Sequence, residues 1–207
     1  MTLLHPPVSA QRLLIGILTV TAIWAVYRST SSSSGAEFTA MSTRSSVSPV
    51  AGLKVTLEQA TAISSSPTII ATVTNTNESP VTILDYSSPL DSLALQLGLL
   101  SLQPNGAKEP LDLPTIQLRR VWPPGMDSLV TISAGESIKN EIELKEPAVK
   151  VEELRGKTYE IKMTGKWQAV WKGEKKDVDV AVLDAPGGSA DVFKGEYVSE
   201  SIDVTFS

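Results

Sequence analysis

Hydrophobic positions from residue 49 onward alternate with polar ones in short runs, which turn residues separate at intervals of about ten. The clearest run is Leu53–Gln59, where leucine, valine and leucine occupy every second position. Successive side chains of a strand point to opposite faces, so each such run predicts a strand with one buried face. The whole pattern predicts an all-β, antiparallel sandwich.

The predicted strands share this alternation and cover residues 53–59, 69–75, 81–86, 97–103, 115–120, 128–132, 138–144, 158–163, 167–171, 177–183 and 196–206. The turn residues 76–80 predict that the second and third strands form a hairpin. The tight-turn pair Asn105-Gly106 predicts that the strand before it returns, after a proline-rich bend, as residues 115–120. A short helical turn is predicted around Val151–Leu154, ended by Gly156.

Two of these strands are predicted to form the central pair of the core. In the predicted strand 158–163 the apolar residues Tyr159, Ile161 and Met163 share one face. In the predicted strand 167–171 the apolar residues also have odd numbers, and they are Trp167, Ala169 and Trp171. Side chains of one parity lie on one face of a sheet. We therefore expect an immunoglobulin-like sandwich built around these positions.

The amino-terminal region has a different character, with an apolar run at Leu13–Tyr27 and a Ser/Thr-rich stretch after it. As a helix the run would span about 22 Å, against about 30 Å of hydrocarbon in a bilayer. The length and the preceding Arg12 are typical of a secretory signal peptide. An uncleaved signal anchor, with Trp24 and Tyr27 at the membrane interface, is the competing interpretation.

Two other interpretations of this region remain. Its arginines and serines also fit a mitochondrial transit peptide, and Met41 could be the true initiator of a shorter chain. The predicted organisation is a signal peptide or anchor at residues 1–28, a disordered linker at 29–48 and a sandwich domain at 49–207. The predicted localisation is the secretory pathway, either extracellular or single-pass membrane, with mitochondria as the alternative.

Composition restricts the chemistry of this chain of 207 residues. It has no cysteine, and its one histidine, His5, precedes the apolar run. Nucleophile systems that need an imidazole base, and zinc sites built from His or Cys, are therefore not expected. The net charge is −5, and the sequence contains no stripe of basic residues. No nucleic-acid partner is therefore expected. We predict a non-enzymatic domain with no catalytic residue, cofactor or metal.

The acidic and aromatic residues offer weak candidate sites. Asp177 and Asp179 share a predicted strand face and could act as paired carboxylates or calcium ligands, but a solvated face is favoured. Glu152–Glu153 are helix neighbours that do not face each other. Trp122, Trp167 and Trp171 could form an aromatic platform that binds a carbohydrate. Packing of these three side chains in or near the core is the favoured interpretation.

Two kinds of modification site are present. Asn77-Glu-Ser79 is an N-glycosylation sequon in a predicted turn, so Asn77 is a candidate glycosylation site if the chain is secreted. The dibasic pairs Arg119–Arg120 and Lys175–Lys176 could be cut by a processing protease. Both pairs fall within predicted strands or hairpins, so we expect the fold to protect them.

A set of short motifs resembles the amino-terminal propeptide of fungal deuterolysin-type zinc metalloproteases. The motifs are Leu53-Lys-Val-Thr-Leu-Glu-Gln59, Ile70-Ala-Thr-Val-Thr-Asn-Thr76, Val81–Tyr86, Ser88-Pro-Leu-Asp91, Asp127–Ser137 and Ile142-Glu-Leu144. The resemblance covers residues 53–206. It includes a strand that ends in an Asn-Thr turn, an S-P-L-D bend and an A-G-E turn.

In that family the propeptide keeps the enzyme latent and helps it to fold. The resemblance implies a propeptide-like module without the catalytic domain, so protease activity and inhibitory residues are not carried over. We expect a secreted or membrane-tethered sandwich that binds a protein, for example a deuterolysin-like protease, as inhibitor or folding aid. Exposed strand edges offer one way to bind it. The alternative is a structural or adhesive sandwich at the cell surface.

Overall fold

The computed structural model describes residues 48–61, 66–180 and 191–206. The predicted signal or anchor at residues 1–28, with its apolar run Leu13–Tyr27 and His5, lies outside the described residues, as does the predicted linker up to residue 47. In the described part of the chain, no helix has the length and apolar character needed to cross a bilayer. The proposed division of the chain into three segments stays a prediction.

The described residues form an antiparallel β-sandwich, which confirms the predicted fold class. Its nine strands are β1 (Leu53–Gln59), β2 (Thr68–Asn75), β3 (Val81–Leu84), β4 (Leu100–Pro104), β5 (Leu129–Ile132), β6 (Ser137–Glu143), β7 (Thr158–Lys172), β8 (Phe193–Val198) and β9 (Ile202–Thr205). The one α-helix among the described residues is the predicted turn Val151–Leu154. Gly156 follows it with φ +73°, the left-handed conformation that ends helices.

A small sheet contains three strands in the order β1-β2-β6. The alternation that predicted β1 is borne out, since Leu53, Val55 and Leu57 are buried and the residues between them are exposed. β2 lies at the centre of this sheet and pairs antiparallel with both neighbours. Its apolar positions Ile69, Ala71 and Val73 face the core with no exposed surface.

The larger sheet is organised by β7, a strand of 15 residues. β4 and β9 flank its first half, while β3 and β8 flank its second half. β5 then pairs with β3 at the edge. The two predicted strands 158–163 and 167–171 are thus one continuous strand, because Gly165 is a paired strand residue and does not form a turn.

The main core lies between the two sheets, where the predicted side chains Tyr159, Ile161, Met163 and Trp167 are buried. The ring of Tyr159 meets that of Phe206 edge-on, with 5.3 Å between centroids. Full burial of each large apolar side chain contributes about 1.5–3 kcal/mol. The core therefore accounts for folding without any disulfide.

A β-bulge changes the faces of β7. Trp167 pairs with Gly195 and Val170 with Phe193, so two residues of β7 oppose one of β8 between them. Beyond the bulge Val170 points into the main core, whereas Ala169 and Trp171 join a second cluster with Leu84 and Leu129. The prediction that one parity holds along 159–171 is wrong for this reason.

The predicted hairpin between residues 69–75 and 81–86 is also wrong. β2 and β3 belong to different sheets, and the turn between them carries the chain across the sandwich. Buried Asn75 holds this crossing, because its Nδ2 donates to the backbone oxygens of Ser79 (2.9 Å) and Ile132 (2.9 Å). A sequence turn signal cannot distinguish a hairpin from such a crossing.

Other strand predictions need correction. Residues 92–98 form turns, and β4 starts at Leu100 instead of residue 97. Residues 115–120 form no strand, because β4 pairs with β7 instead. Lys175–Asp177 is a 3-10 turn, so the predicted strand 177–183 does not form at residues 177–180, and its remainder lies outside the described residues. The last predicted strand is divided into β8 and β9.

Candidate functional site

The long connection between β4 and β5, residues 105–128, carries most of the exposed large hydrophobic side chains of the described residues. Six large hydrophobic side chains are exposed among the described residues, and five of them lie here. They are Val121 (75% exposed), Trp122 (47%), Ile116 (46%), Leu118 (44%) and Met126 (44%). We call these five residues the apolar stretch. A loop above about 12–15 residues is usually functional or disordered, so exposed apolar side chains in such a loop are a candidate binding surface.

The first part of this loop is fixed to the body of the sandwich. Leu111 N–H donates to the Leu102 oxygen at 2.7 Å, and Leu113 packs against the main core. Ile116 N–H then donates to the Gln96 oxygen at 2.9 Å. The backbone is therefore held at the point where the apolar stretch begins.

Gly98 lets the loop approach closely at this point. Its φ is +73°, and a Cβ at this residue would lie 2.9 Å from the Thr115 methyl group. A side chain here would be strained by the backbone conformation and would collide with the loop. Glycine is thus needed for both reasons.

The second part of the loop is held by Arg120. Its Nη2 lies 2.5 Å from Asp91 Oδ2, and its guanidinium lies 4.8 Å from the centroid of the Tyr86 ring. The Tyr86 hydroxyl donates to the Val121 oxygen at 3.4 Å and accepts from Ser128 Oγ at 3.3 Å. These contacts fix the backbone beneath Val121 and Trp122 while leaving both side chains in solvent.

Asp91, the last residue of the S-P-L-D bend, is the centre of this anchor. Its side chain is 2% exposed, and its carboxylate also accepts from Ser87 N–H (2.8 Å) and Leu93 N–H (3.0 Å). A buried carboxylate is tolerated when it is paired and hydrogen-bonded in this way. The sequence predicted the bend but not its role as the anchor of a distant loop.

Ser87 and Tyr197 tie this bend to the larger sheet. Ser87 has φ +56°, and within the described residues it is the one non-glycine position at positive φ. Its backbone oxygen accepts from the Tyr197 hydroxyl at 2.9 Å. Burial, and then the nearby charge of Asp91, raise the pKa of the Tyr197 phenol, so this hydroxyl stays a donor at physiological pH.

Asp85 gives the anchor region a dependence on pH. Burial raises its pKa to about 6, the charges of Asp91 and Asp127 add to the rise, and Arg120 opposes it. Its Oδ1 is buried without a hydrogen-bond partner in the described part of the chain. The Asp85 carboxyl therefore changes charge near pH 6, beside the residues that hold the loop.

The predicted acidic candidates do not assemble into a site. Asp177 and Asp179 are exposed, and the strand that would have aligned them does not form. Glu152 pairs with Arg155 at 2.9 Å and Glu153 with Lys150 at 3.2 Å, as expected of a solvated helical turn. Across the three described ranges, no three acidic or histidine side chains converge as metal ligands would.

The three candidate tryptophans are separated from one another. Trp167 lies in the main core (1% exposed) and Trp171 in the second cluster (5%), which confirms the packing interpretation for both. Trp122 is exposed, so the same interpretation is wrong for it. The carbohydrate platform does not form, because the bulge in β7 places Trp167 and Trp171 in different clusters.

The candidate modification sites lie at turns and loops. Asn77 is half-buried, and its Nδ2 donates to the Pro49 oxygen (3.0 Å) and to Asn75 Oδ1 (2.8 Å). Glycosylation of Asn77 stays a prediction, and it would require this nitrogen to leave both bonds. Arg119–Arg120 lies outside any strand and Lys175–Lys176 lies in the 3-10 turn, so the predicted placement of both pairs within strands or hairpins is wrong, while their protection by the fold stays a prediction.

The exposed loop could have been found from the sequence by its prolines. Pro110 and Pro114 lack the N–H that a central strand would use, and Pro123 and Pro124 follow the apolar stretch. Ile116 and Leu118 alternate with polar residues, which is why the segment was predicted as a strand. The alternation is present in the sequence, but no other element among the described residues packs over the side chains of Ile116 and Leu118.

Comparison of the sequence with known protein families identifies the family. A family model for an immunoglobulin-like domain matches residues 52–206, which include all nine strands. The chain belongs to the immunoglobulin-like domain family. The candidate loop of this immunoglobulin-like domain thus lies inside the matched region.

A curated relative extends the comparison. The chain is 40% identical over 136 residues to a protein of Arthroderma benhamiae described as an uncharacterized secreted protein. The match covers 65% of this immunoglobulin-like chain and 66% of the relative's own length. The chain therefore spans just under two thirds of that relative.

Proposed function

We propose that this protein is a secreted, non-catalytic immunoglobulin-like domain that binds a protein partner through the apolar stretch. The observation that carries the proposal is the exposure of Val121, Trp122 and their three apolar neighbours on a loop held at both ends. Apolar side chains in an ordered loop lose little conformational freedom on binding. Tryptophan is also among the residues that contribute most at protein interfaces.

Secretion is supported by two observations. The Arthroderma relative is described as secreted, and the present sequence carries the apolar run Leu13–Tyr27 with Arg12 in front of it. This run fits a signal peptide, and an uncleaved anchor would tether the domain to a membrane instead. Detection of the mature amino terminus distinguishes these two cases.

The non-catalytic part of the proposal rests on side-chain chemistry. The sequence has no cysteine, and its one histidine is His5. The buried acid Asp91 is fully engaged by Arg120 and backbone amides, so its role is to hold the loop. Protein binding requires none of the missing groups.

For the partner we propose a secreted metalloprotease of the deuterolysin type, with this domain acting in trans as inhibitor or folding aid. The support is the resemblance of the motifs that form β1–β3, the S-P-L-D bend and β5–β6 to the propeptide of that family. In the structure the bend contains Asp91, which anchors the apolar stretch. The resembling motif and the candidate site are thus physically connected.

The test uses the full chain and a variant of the exposed indole. Trp122→Ala should leave stability within about 0.5 kcal/mol, because the residue is exposed. We expect it to weaken inhibition of a deuterolysin-type protease, and the assistance given to its refolding, about tenfold or more, as loss of an interface tryptophan does. Val198→Ala is the matched control, since it shortens another exposed apolar side chain (59%) outside the loop.

Inhibition or refolding assistance that is lost with Trp122 and kept with Val198 supports the whole proposal. Absence of both effects for the unaltered chain would contradict the protease as partner. Recovery of a membrane or cell-wall protein by the same loop would favour the adhesive alternative. Equal loss in both variants would remove the apolar stretch as the binding site.

A further inference from the structure

Among the residues that the structure describes, one edge of the small sheet is unpaired along β1. In the β1–β2 pair, Thr76 N–H donates to the Gly52 oxygen at 2.7 Å and Ala60 N–H donates to the Thr68 oxygen at 2.9 Å. Hydrogen-bonded pairs recur at every second residue of an antiparallel ladder. Even-numbered residues of β1 therefore bond to β2, and the backbone groups of Val55 and Leu57 point away from the sheet.

These outward groups have no backbone partner within the described ranges of the chain. They border a groove of about 600 Å³, lined on one side by residues 53–56 of β1 and on the other by residues 196–198 of β8. The groove is open to solvent, so an extended strand can approach the edge. An unpaired edge of this kind is a template for pairing with another chain.

At the opposite edge of the same sheet, a loop is held against β6 by one side chain. Asn140 Nδ2, in the middle of β6, donates to the backbone oxygens of Pro89 (2.9 Å) and Asp91 (3.1 Å). The bend that anchors the candidate loop therefore lies against β6. The β1 edge is distinguished by the open groove that runs beside it.

The charges of β1 indicate what that strand is. The exposed face of β1 carries Lys54, Thr56 and Glu58 in that order. When two copies of β1 pair antiparallel about a two-fold axis at Thr56, Lys54 of each copy lies opposite Glu58 of the other. The strand is thus complementary to itself, and shifting the register by a residue in either direction loses both ion pairs.

The direction in which the backbone groups of β1 point agrees with this register. Pairing about Thr56 places Val55 of one copy opposite Leu57 of the other, and these are the residues whose backbone groups point outward. The charged residues then occupy the non-hydrogen-bonded positions, where facing side chains lie closest. In a single copy Lys54 forms no ion pair within the described residues, and Glu58 meets Lys139 at the surface.

We propose that two copies of this protein associate through β1 as an antiparallel pair centred on Thr56, which joins their small sheets across the two-fold axis. This interface is separate from the apolar stretch and does not depend on the proposed function. A closed two-fold contact of this type uses the same surface on both partners. The edge is then covered, and no further chain can add to it.

The test measures self-association of the full chain by sedimentation over a concentration series. Lys54→Glu places like charges opposite each other twice and should weaken the dimer about tenfold. Glu58→Lys should do the same, and the double change Lys54→Glu with Glu58→Lys should restore association. Lys108→Glu is the matched control, because it makes the same charge change on an exposed loop residue.

Hydrogen exchange provides a second measurement that does not depend on any variant. The amides of Val55 and Leu57 should become protected as concentration rises, whereas those of Thr56 and Glu58, already bonded to β2, should stay unchanged. A chain that sediments as a monomer throughout overturns the proposal. A dimer that is not weakened by Lys54→Glu also overturns it. A dimer in which the Val55 and Leu57 amides are not protected overturns it as well.

Discussion

At the scale of single residues, Asp91 and Asp85 show how neighbouring acids can have opposite roles. Asp91 is buried and satisfied by Arg120 and two backbone amides. Asp85 has a buried oxygen without a described partner, and its pKa is raised to about 6. The Asp91 side chain stabilises the folded state through its ion pair and hydrogen bonds, whereas burial favours the protonated form of Asp85.

The raised pKa of Asp85 predicts a specific pH dependence. The folded state binds the proton more tightly than the unfolded state, whose pKa is near 3.8, so stability falls as pH rises from about 4 to about 6. Asp85→Asn removes this loss and should stabilise the protein at pH 7 by about 1 kcal/mol, a value discounted for solvent screening. Denaturant unfolding at pH 4 and pH 7 measures the difference.

The control for this prediction is Asp112→Asn, an exposed aspartate of the loop. Its effect on unfolding should be small at both pH values. If Asp85→Asn raised the free energy of unfolding equally at pH 4 and pH 7, titration of the Asp85 carboxyl would be contradicted as the cause.

The pair of Asp91 with Arg120 predicts a loss of both stability and protection. Asp91→Asn leaves the guanidinium without its charged partner and should reduce the free energy of unfolding by about 2–4 kcal/mol. Trypsin should then cut after Arg120 faster than in the unaltered chain, because the residue is no longer held. Limited proteolysis followed by mass spectrometry locates the cut.

Asp203→Asn serves as the comparison, since Asp203 is exposed on β9. It should change neither the unfolding free energy nor the rate of cleavage after Arg120. If Asp91→Asn were also silent in both measurements, the anchor described for the loop would be wrong.

At the scale of elements, local pattern identified most strands, but not their partners. β1 follows from the alternation of Leu53, Val55 and Leu57, because a strand buried on one face must alternate. Ile116 and Leu118 alternate equally well and form no strand, since nothing packs over them. Periodicity reports the local preference of a segment, whereas burial depends on residues far away in sequence.

The crossing between β2 and β3 gives a prediction at this scale. Asn75 is fully buried, and its Nδ2 donates to three backbone oxygens, those of Ser79, Ile132 and Ser133. Asn75→Ala leaves these groups unsatisfied and should cost about 2–4 kcal/mol of unfolding free energy. Chemical denaturation of the variant tests this value.

Asn105→Ala is the matched change, in an exposed turn beside β4. It should alter stability by no more than about 0.5 kcal/mol. Equal effects of the two variants would show that the hydrogen bonds of Asn75 do not hold the crossing.

At the scale of the whole domain, the sandwich class and the core residues of β7 could be predicted, but the candidate site could not. The tryptophans 167 and 171 were expected inside, and both are. The anchor of the loop joins residues 91 and 120 through a contact that no local pattern encodes. The prolines of the loop argue against a central strand there, but only the structure shows which of its side chains are exposed.

The bulge between Trp167 and Val170 has a consequence for how the length of β7 can vary. With one residue fewer there, the strand would run straight, and Val170 and Trp171 would keep the faces they occupy now, because the residue removed is the extra one of the bulge. The second cluster would keep Trp171, its largest member. A single-codon deletion elsewhere in β7 would exchange inside and outside for every residue after it, whereas a deletion at the bulge would not.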